Sequence, residues 1–130
     1  MTKNSKPYLL ITGVTSGVGL SLVNHYADSY HILALGRNVN KLDELSRNNE
    51  NINFFAIDLS DQKLCSKLFK ELSEKYTYIP YVINNAGVNE RMELPDITYD
   101  QLMEFLQVNA IAPMIAMQQF LPAMKENNFG

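Results

Sequence analysis

The stretch TGVTSGVG, residues 12–19, follows directly on the apolar run YLLI, residues 8–11. It holds three of the six glycines in the whole chain. Gly13 permits a tight turn with positive φ, while Gly17 and Gly19 remove Cβ atoms where the backbone must approach a ligand or a neighbouring strand. The pattern predicts a strand that ends near Thr12 and a helix that begins near Val18.

The same turn predicts an anion site. A helix start presents unpaired N–H groups and the positive end of the helix dipole, so a diphosphate is the natural occupant. The alternative is a glycine-rich loop with structural duties only. The stretch is not a Walker loop, because no Lys-Ser/Thr pair follows Gly19. The candidate ligand-binding residues of the turn are Thr12, Gly13, Thr15, Ser16, Gly17, Val18 and Gly19.

The rest of the chain alternates between two kinds of apolar segment. Short β-branched or aromatic runs at 8–12, 31–35, 53–57 and 81–84 suit parallel strands that are covered on both faces. Helical spacing lies between them, weakly at 18–28 and 40–48, and most clearly where Leu64, Leu68, Leu72 and Tyr76 recur every fourth residue. This alternation predicts an α/β fold, a Rossmann-like doubly wound parallel sheet of strand order 3-2-1-4, in one domain over residues 1–130.

A longer helix is expected after the fourth strand. Thr98 and Gln101 have the spacing of a capping box, and the helix continues to about Lys125. Its methionines, with their adaptable side chains, are expected in the core; the alternative is a surface for a partner. They are Met103, Met114, Met117 and Met124.

Composition and charge exclude several classes of protein. The net charge is −3 and the lysines are scattered, which gives a nucleic-acid role no electrostatic support. The longest apolar run, 110–117, is far shorter than the roughly 18 residues that cross a bilayer, and the N-terminal MTKNSKP lacks the apolar core of a signal peptide. The single cysteine, Cys65, fits a buried thiol in a reducing compartment. These features predict a cytoplasmic protein without a membrane segment, a nucleic-acid partner or a metal site.

The end of the second strand predicts a preference between two cofactors. Nicotinamide-binding sites that prefer NAD place an acidic residue there, on the ribose hydroxyls. This chain has Gly36 followed by Arg37. A guanidinium without a neighbouring carboxylate favours the additional 2′-phosphate of NADP. The alternative is that Arg37 is a solvated loop residue.

Two further stretches carry a family resemblance. Asp58-Leu59 ends the third strand and Asn84-Asn85-Ala86-Gly87 ends the fourth. With Thr12-Gly13-x-x-x-Gly17-x-Gly19, they make the chain resemble the short-chain dehydrogenase/reductase family over nearly its whole length. The resemblance implies that Gly13, Gly17 and Gly19 line the diphosphate, that Arg37 lies by the adenosine ribose and that Asp58 and Leu59 flank the adenine. It also implies that Asn85, Ala86 and Gly87 lie along the cofactor's ribose.

Asn109 matches the asparagine of the family's catalytic tetrad, which anchors a water in a proton relay. Pro113, four residues later, has no N–H, so the carbonyl of Asn109 loses its usual helical partner and can hold a water. The alternative is an ordinary proline kink with a solvated asparagine. The resemblance also implies pairing of copies through the helix 98–125.

The rest of the family's catalytic machinery is absent from these 130 residues. None of the seven tyrosines has a lysine four residues later, and the segment that carries the catalytic serine is missing. We expect a truncated domain, with residues 81–84 as an open sheet edge. One hypothesis is the N-terminal half of an NADP-dependent oxidoreductase acting on a small carbonyl or alcohol, inactive by itself. The other is a non-catalytic nucleotide-binding or protein-interaction module. NNAG disfavours a methyltransferase.

Overall fold

Four strands form one parallel sheet in the computed structural model, which describes residues 6–130. They are β1 (Tyr8–Thr12), β2 (His31–Gly36), β3 (Ile52–Ala56) and β4 (Tyr81–Ile83). Their order is β3-β2-β1-β4, which confirms the predicted topology. Residues 1–5, which belong to the N-terminal stretch considered for a signal peptide, lie outside the described residues.

Helices cover both faces of the sheet. On one face, α1 (Gly17–Tyr26) and α2 (Val39–Asn48) pack through a cluster that includes Leu9, Ile11, Val23, Ile32 and Leu42. On the other face, α3 (Gln62–Tyr76) and α5 (Ala112–Glu126) pack through a cluster that includes Leu10, Leu33, Phe69, Leu72 and Phe120. Successive strand residues point to opposite faces, so one apolar run supplies both cores. A 3₁₀ turn at Leu94–Asp96 and helix α4 (Tyr99–Leu106) precede α5.

Coverage of the strands depends on their place in the sheet. β1 and β2 are almost wholly buried, as predicted for strands covered on both faces. β3 and β4 are only partly buried, so for them the prediction is wrong. The reason is that each of these strands has a neighbour on one side only in the described part of the chain. The open edge at β4 confirms the expectation for residues 81–84.

Side-chain caps fix the starts of three helices. Asn38 accepts a hydrogen bond from the Lys41 N–H at 3.1 Å, and Asp61 accepts one from the Leu64 N–H at 3.0 Å. Thr98 and Gln101 form the predicted capping box, with both reciprocal bonds present. α1 differs, because its N-cap residue Ser16 makes no side-chain capping bond. The first turn of α1 therefore has no side chain folded over its N–H groups.

One prediction about buried residues is wrong, and one helix buries a different set of residues from the repeat that indicated it. The buried stripe of α3 consists of Cys65, Phe69 and Leu72, while Leu64 is 48% exposed. A repeat of four residues drifts around a helix of 3.6 residues per turn, so its first member leaves the core face. Of the four methionines expected in the core, only Met124 packs against it; the other three, at 103, 114 and 117, are exposed.

The long helix after β4 is not regular. A π-helical turn over Gln107–Ile111 separates α4 from α5, and the Ala112 N–H donates to the Gln107 carbonyl, five residues back. Pro113 lies at the start of α5, where its missing N–H cannot bond to the carbonyl four residues back. The wider turn lies directly before this proline. None of the helices described in residues 6–130 is both long enough and apolar enough to cross a membrane.

Candidate functional site

The turn after β1 is held against β2 and against the loop that follows β4. The N–H of Gly13 donates to the Leu35 carbonyl at 2.8 Å. Gly13 has a φ of +72°, and a Cβ there would lie 2.8 Å from the Cα of Ala86. Only glycine allows both that backbone angle and so close an approach by another segment of backbone. The turn and the loop after β4 are therefore in direct backbone contact.

Gly17 and Gly19 have different surroundings, although one motif contains both. A Cβ on Gly19 would lie 2.0 Å from the Gly13 carbonyl oxygen, so this glycine lets α1 close onto its own turn. A Cβ on Gly17 would meet nothing within 4 Å. Gly17 has a φ of +54° and its outer face is open to the crevice described below. Protein packing therefore explains Gly19, while no atom of residues 6–130 fills the space beside Gly17.

Asn85 and Thr12 join the ends of β1 and β4. The Asn85 amide Nδ2 donates to the carbonyls of Thr12 and Gly13, at 3.0 and 3.1 Å. The Thr12 hydroxyl accepts from the Ala86 N–H at 3.0 Å. Thr12 is 3% exposed, and no buried side-chain N or O atom in the described residues lacks a partner. These bonds fix the floor of a crevice at the carboxyl ends of the strands.

That crevice has a volume of about 350 Å³. It brings together eleven of the predicted residues, namely Gly13, Thr15, Ser16, Gly17, Val18, Arg37, Asp58, Leu59, Asn85, Ala86 and Gly87. Three predicted residues do not line it: Thr12, Gly19 and Asn109. Thr12 and Gly19 support its wall from behind, through the contacts given above. In open parallel sheets the carboxyl ends of the strands, where their order reverses, are the usual place for a ligand.

The rim of the crevice beside β2 and β3 carries one exposed cation and one exposed carboxylate. Hydrogen bonds from the Ser60 N–H and hydroxyl hold the pKa of Asp58 below its ordinary value, with a smaller contribution from the charge of Arg37 and some opposition from partial burial. The Ser60 N–H lies 3.0 Å from the Asp58 Oδ1. Asp58 is therefore an acceptor at neutral pH.

Gly36 lies between these groups and the turn. A Cβ at this position would lie 2.7 Å from the Thr15 Cγ2, with Leu42 and Val14 at 3.5 and 3.6 Å. An acidic side chain at position 36 would therefore need Thr15 to move. The crevice presents the Arg37 guanidinium on this side with no carboxylate at the end of β2.

Asn109 holds the loop after β4 to the π-helical turn. Its Oδ1 accepts from the Val88 N–H at 2.8 Å and its Nδ2 donates to the Val88 carbonyl at 2.9 Å. A Cβ on Gly87 would approach the Asn109 Oδ1 to 3.4 Å. Both polar atoms of the Asn109 side chain thus bond to the backbone of Val88. The alternative of a merely solvated asparagine did not predict these bonds. Its backbone carbonyl lies in the π-helical turn, four residues before Pro113.

The crevice also has walls that the sequence motifs did not single out. They are Leu35, Gly36, Ile57, Val88 and Val108. Leu35, Gly36 and Ile57 lie beside predicted residues at the ends of β2 and β3, and Val88 directly follows NNAG. Their position next to a motif was the one sign in the sequence that they line the crevice. Val108 is supplied by the π-helical turn. No sequence pattern indicates that Gln107, its neighbour, is buried.

A parallel sheet in the order β3-β2-β1-β4 with a glycine-rich turn after β1 defines the Rossmann-like class of α/β protein. The sequence model of the short chain dehydrogenase family matches residues 7–130. The chain therefore belongs to the short-chain dehydrogenase family, as the resemblance implied.

Relatives in the family are considerably longer than this chain. Dehydrogenase RED2 of Cochliobolus heterostrophus is 28% identical over 126 residues, which are 97% of this chain and 47% of that protein. Dehydrogenase/reductase SDR family member 7B of Mus musculus is 31% identical over 141 aligned positions, covering 97% of this chain and 43% of that protein. The chain spans about half the length of the curated relatives it matches.

Solved structures share the fold over almost the whole chain. A short-chain dehydrogenase from Streptomyces avermitilis has a TM-score of 0.90 at 21% identity and covers 100% of this chain and 48% of its own. A metagenomic short-chain oxidoreductase in complex with NADP has a TM-score of 0.86 at 22% identity, covering 95% and 59%. 4-Hydroxyisoleucine dehydrogenase complexed with NADH has a TM-score of 0.87 at 25% identity, covering 95% and 51%.

The two glycines of α1 should respond differently to alanine. Gly19→Ala should lower the free energy of unfolding by about 3 kcal/mol or more, because the new methyl overlaps the Gly13 carbonyl. Gly17→Ala should cost about 1 kcal/mol, the strain of a positive φ alone. Urea unfolding followed by circular dichroism measures both. A Gly19→Ala protein as stable as the parent would contradict the packing described, since alanine is otherwise the better helix former.

Proposed function

We propose that residues 6–130 bind a nicotinamide dinucleotide in the crevice, with its diphosphate at the start of α1. The observation that carries this proposal is the open face of Gly17, beside first-turn N–H groups that no side chain caps. No acidic residue lies in that first turn to repel an anion. Membership of the short-chain dehydrogenase family and the cofactors bound by similar structures support the same ligand.

The proposed roles follow the walls of the crevice. Gly13, Thr15, Ser16, Gly17 and Val18 would face the diphosphate, with Thr12 and Gly19 holding their backbone in place. Asp58 and Leu59 would flank the adenine, the first as an ionised acceptor. Asn85, Ala86 and Gly87 would lie along the ribose next to the nicotinamide. When bound, the cofactor supplies a hydride for the reduction of a carbonyl or accepts one from an alcohol.

We further propose a preference for NADP over NAD. One similar structure contains NADP and another contains NADH, so the preference rests on this chain's own residues. Arg37 is exposed at the rim and lines the crevice. Gly36 supplies no carboxylate for a ribose 2′-hydroxyl, and Thr15 fills the space that a side chain there would need. A guanidinium can bind a phosphate through two parallel hydrogen bonds.

Arg37→Glu should weaken binding of NADPH by about a hundredfold and binding of NADH by less than about threefold, because a charge-assisted contact is replaced by repulsion. Fluorescence titration of the reduced cofactors measures both affinities. Arg47→Glu is the matched control, since Arg47 is an exposed arginine on α2 that does not line the crevice. Equal losses for the two cofactors would refute the assignment of Arg37.

The proposed reaction class is hydride transfer with a small carbonyl or alcohol. The residues that would exchange the substrate's proton are not among these 130, because no tyrosine here is followed by lysine at the fourth position. Such a lysine, one helical turn away, would lower the pKa of the tyrosine hydroxyl. Asn109 contributes by pinning the loop after Gly87 through Val88. We propose that these residues bind the cofactor and that turnover requires the residues of the missing proton relay.

The purified 130-residue chain should therefore bind NADPH and show no oxidation of it above the rate without protein. The assay follows absorbance of the reduced nicotinamide in the presence of a panel of aldehydes and ketones. A chain extended by a relative's segment that contains the serine and Tyr-x-x-x-Lys serves as the positive control. Turnover by the 130 residues alone would show that another group in this chain moves the proton.

A second proposal concerns association of copies through α4 and α5. Met114, Met117 and Leu121 are 57%, 51% and 45% exposed, and their spacing places them on one face of α5. Leu102 and Leu106 of α4 are 47% and 46% exposed at helical spacing. Exposed apolar side chains that recur at helical spacing, as they do on both of these helices, are typical of a protein–protein interface.

Met117→Glu should weaken self-association by at least about tenfold, because a charge would enter the apolar contact. Size-exclusion chromatography with light scattering over a range of concentrations measures the change. Gln118→Glu is the control, since residue 118 is exposed on the same helix and already polar. A parent protein that stays monomeric at high concentration would overturn this proposal.

A further inference from the structure

Gln107 is one of two buried polar residues in the described part of the chain, the other being Thr12. It is 8% exposed. Glutamine is seldom buried unless its amide is hydrogen-bonded, because desolvation of an unpaired amide is costly. Here the amide Nε2 donates to the Leu59 carbonyl at 3.2 Å. The bond joins the π-helical turn to the segment between β3 and α3, across 48 positions of sequence.

The Leu59 carbonyl has few other donors. The Cys65 Sγ lies 3.5 Å from the same oxygen, and a thiol is a weak donor. Burial raises the pKa of Cys65 to about 11, so the thiol keeps its proton at neutral pH. The neighbouring carbonyl of Asp58 accepts from the Asp61 N–H at 3.2 Å, within the segment itself. The Ile57 N–H ties the start of this segment to the Gly36 carbonyl of β2 at 2.8 Å. Gln107 is the strong donor to the Leu59 carbonyl, further along the segment.

The π-helical turn lets consecutive residues reach both sides of the crevice. Gln107 bonds to Leu59 on the β3 side, while Asn109 bonds to Val88 on the β4 side. Val108 lies between them and lines the crevice. Inserted π turns often occur at functional sites. The two amide side chains are thus placed to hold opposite walls at a fixed separation.

We infer that Gln107 is a positioning residue for the adenosine end of the cofactor, acting through the Leu59 carbonyl. The inference rests on the proposed function, because Asp58 and Leu59 form the wall assigned to the adenine. Gln107 does not line the crevice, so it touches no ligand itself. Its effect should be confined to one half of the dinucleotide, since the Asn109–Val88 bonds hold the other wall independently.

Gln107→Met tests this inference, because methionine has a similar volume and no donor. The probes are adenosine diphosphate for the adenosine half and reduced nicotinamide mononucleotide for the other half, each measured by calorimetric titration. The variant should bind adenosine diphosphate about tenfold more weakly, the loss of one hydrogen bond, and the mononucleotide within about twofold. Gln118→Met, at an exposed position, should change neither affinity.

A merely structural role for Gln107 predicts equal losses for both probes, and that result would overturn the inference. Unchanged binding of both would overturn it as well, while leaving the proposed function intact. Failure of the parent protein to bind NADPH would overturn the proposed function and this inference with it, while binding of NADPH without binding of adenosine diphosphate would overturn this inference alone. Thermal unfolding of the variant checks that the fold is retained.

A second measurement uses the parent protein, so it does not depend on whether the Gln107→Met variant folds. In the parent protein labelled with ¹⁵N at glutamine side chains, adenosine diphosphate should shift the Gln107 amide resonance, since the carbonyl that it contacts lies in the adenine wall. Reduced nicotinamide mononucleotide should leave that resonance in place. A resonance that is insensitive to adenosine diphosphate at saturation would exclude a positioning role.

Discussion

The close contact between two segments of backbone, at Gly13 and at Ala86, fixes how the turn after β1 and the loop after β4 meet in the crevice. Asn85 and Thr12 hold it with hydrogen bonds between the ends of β1 and β4. Because β2 lies on the other side of β1, the strand order reverses at this point and a crevice opens above it. Any side chain at Gly13 would force the loop after β4 away.

The second constraint acts from the opposite side of the crevice. Pro113 cannot donate a hydrogen bond, and the helix between α4 and α5 widens into a π-helical turn. That turn places two amide side chains, Gln107 and Asn109, against the β3 and β4 walls. The floor of the crevice is therefore held by the backbone contact that Gly13 allows. Its sides are held by hydrogen bonds from the amide side chains of Gln107 and Asn109 to the backbone.

Much of this arrangement could be predicted from local patterns. The turn at residues 12–19 and the capping box at Thr98 are confirmed, since each depends on residues close together in sequence. The strand order is also confirmed, because strands that alternate with helices pair by general rules of chain connection. The repeat that indicated α3 did not identify its buried face, since Leu64 is exposed and a repeat of four residues does not fix which face of a helix meets the sheet. The prediction of core methionines was wrong for Met103, Met114 and Met117, because an apolar side chain is compatible with both a core and an exposed surface.

The sequence by itself determined where the backbone turns, because the residues that mark turns act locally. Glycine permits a positive φ, proline fixes φ and a capping side chain bonds to the first N–H groups of a helix. It also indicated four strands through their apolar runs, but not which of them are covered on both faces. Only the tertiary structure decided that Gly19 packs against its own turn while Gly17 stays open, and that Gln107 bonds to Leu59. Gln107 and Leu59 are far apart in the chain. Gly17 and Gly19 are close together in the chain but face different surroundings. Their geometry depends on how the helices settle on the sheet, which no local spacing encodes.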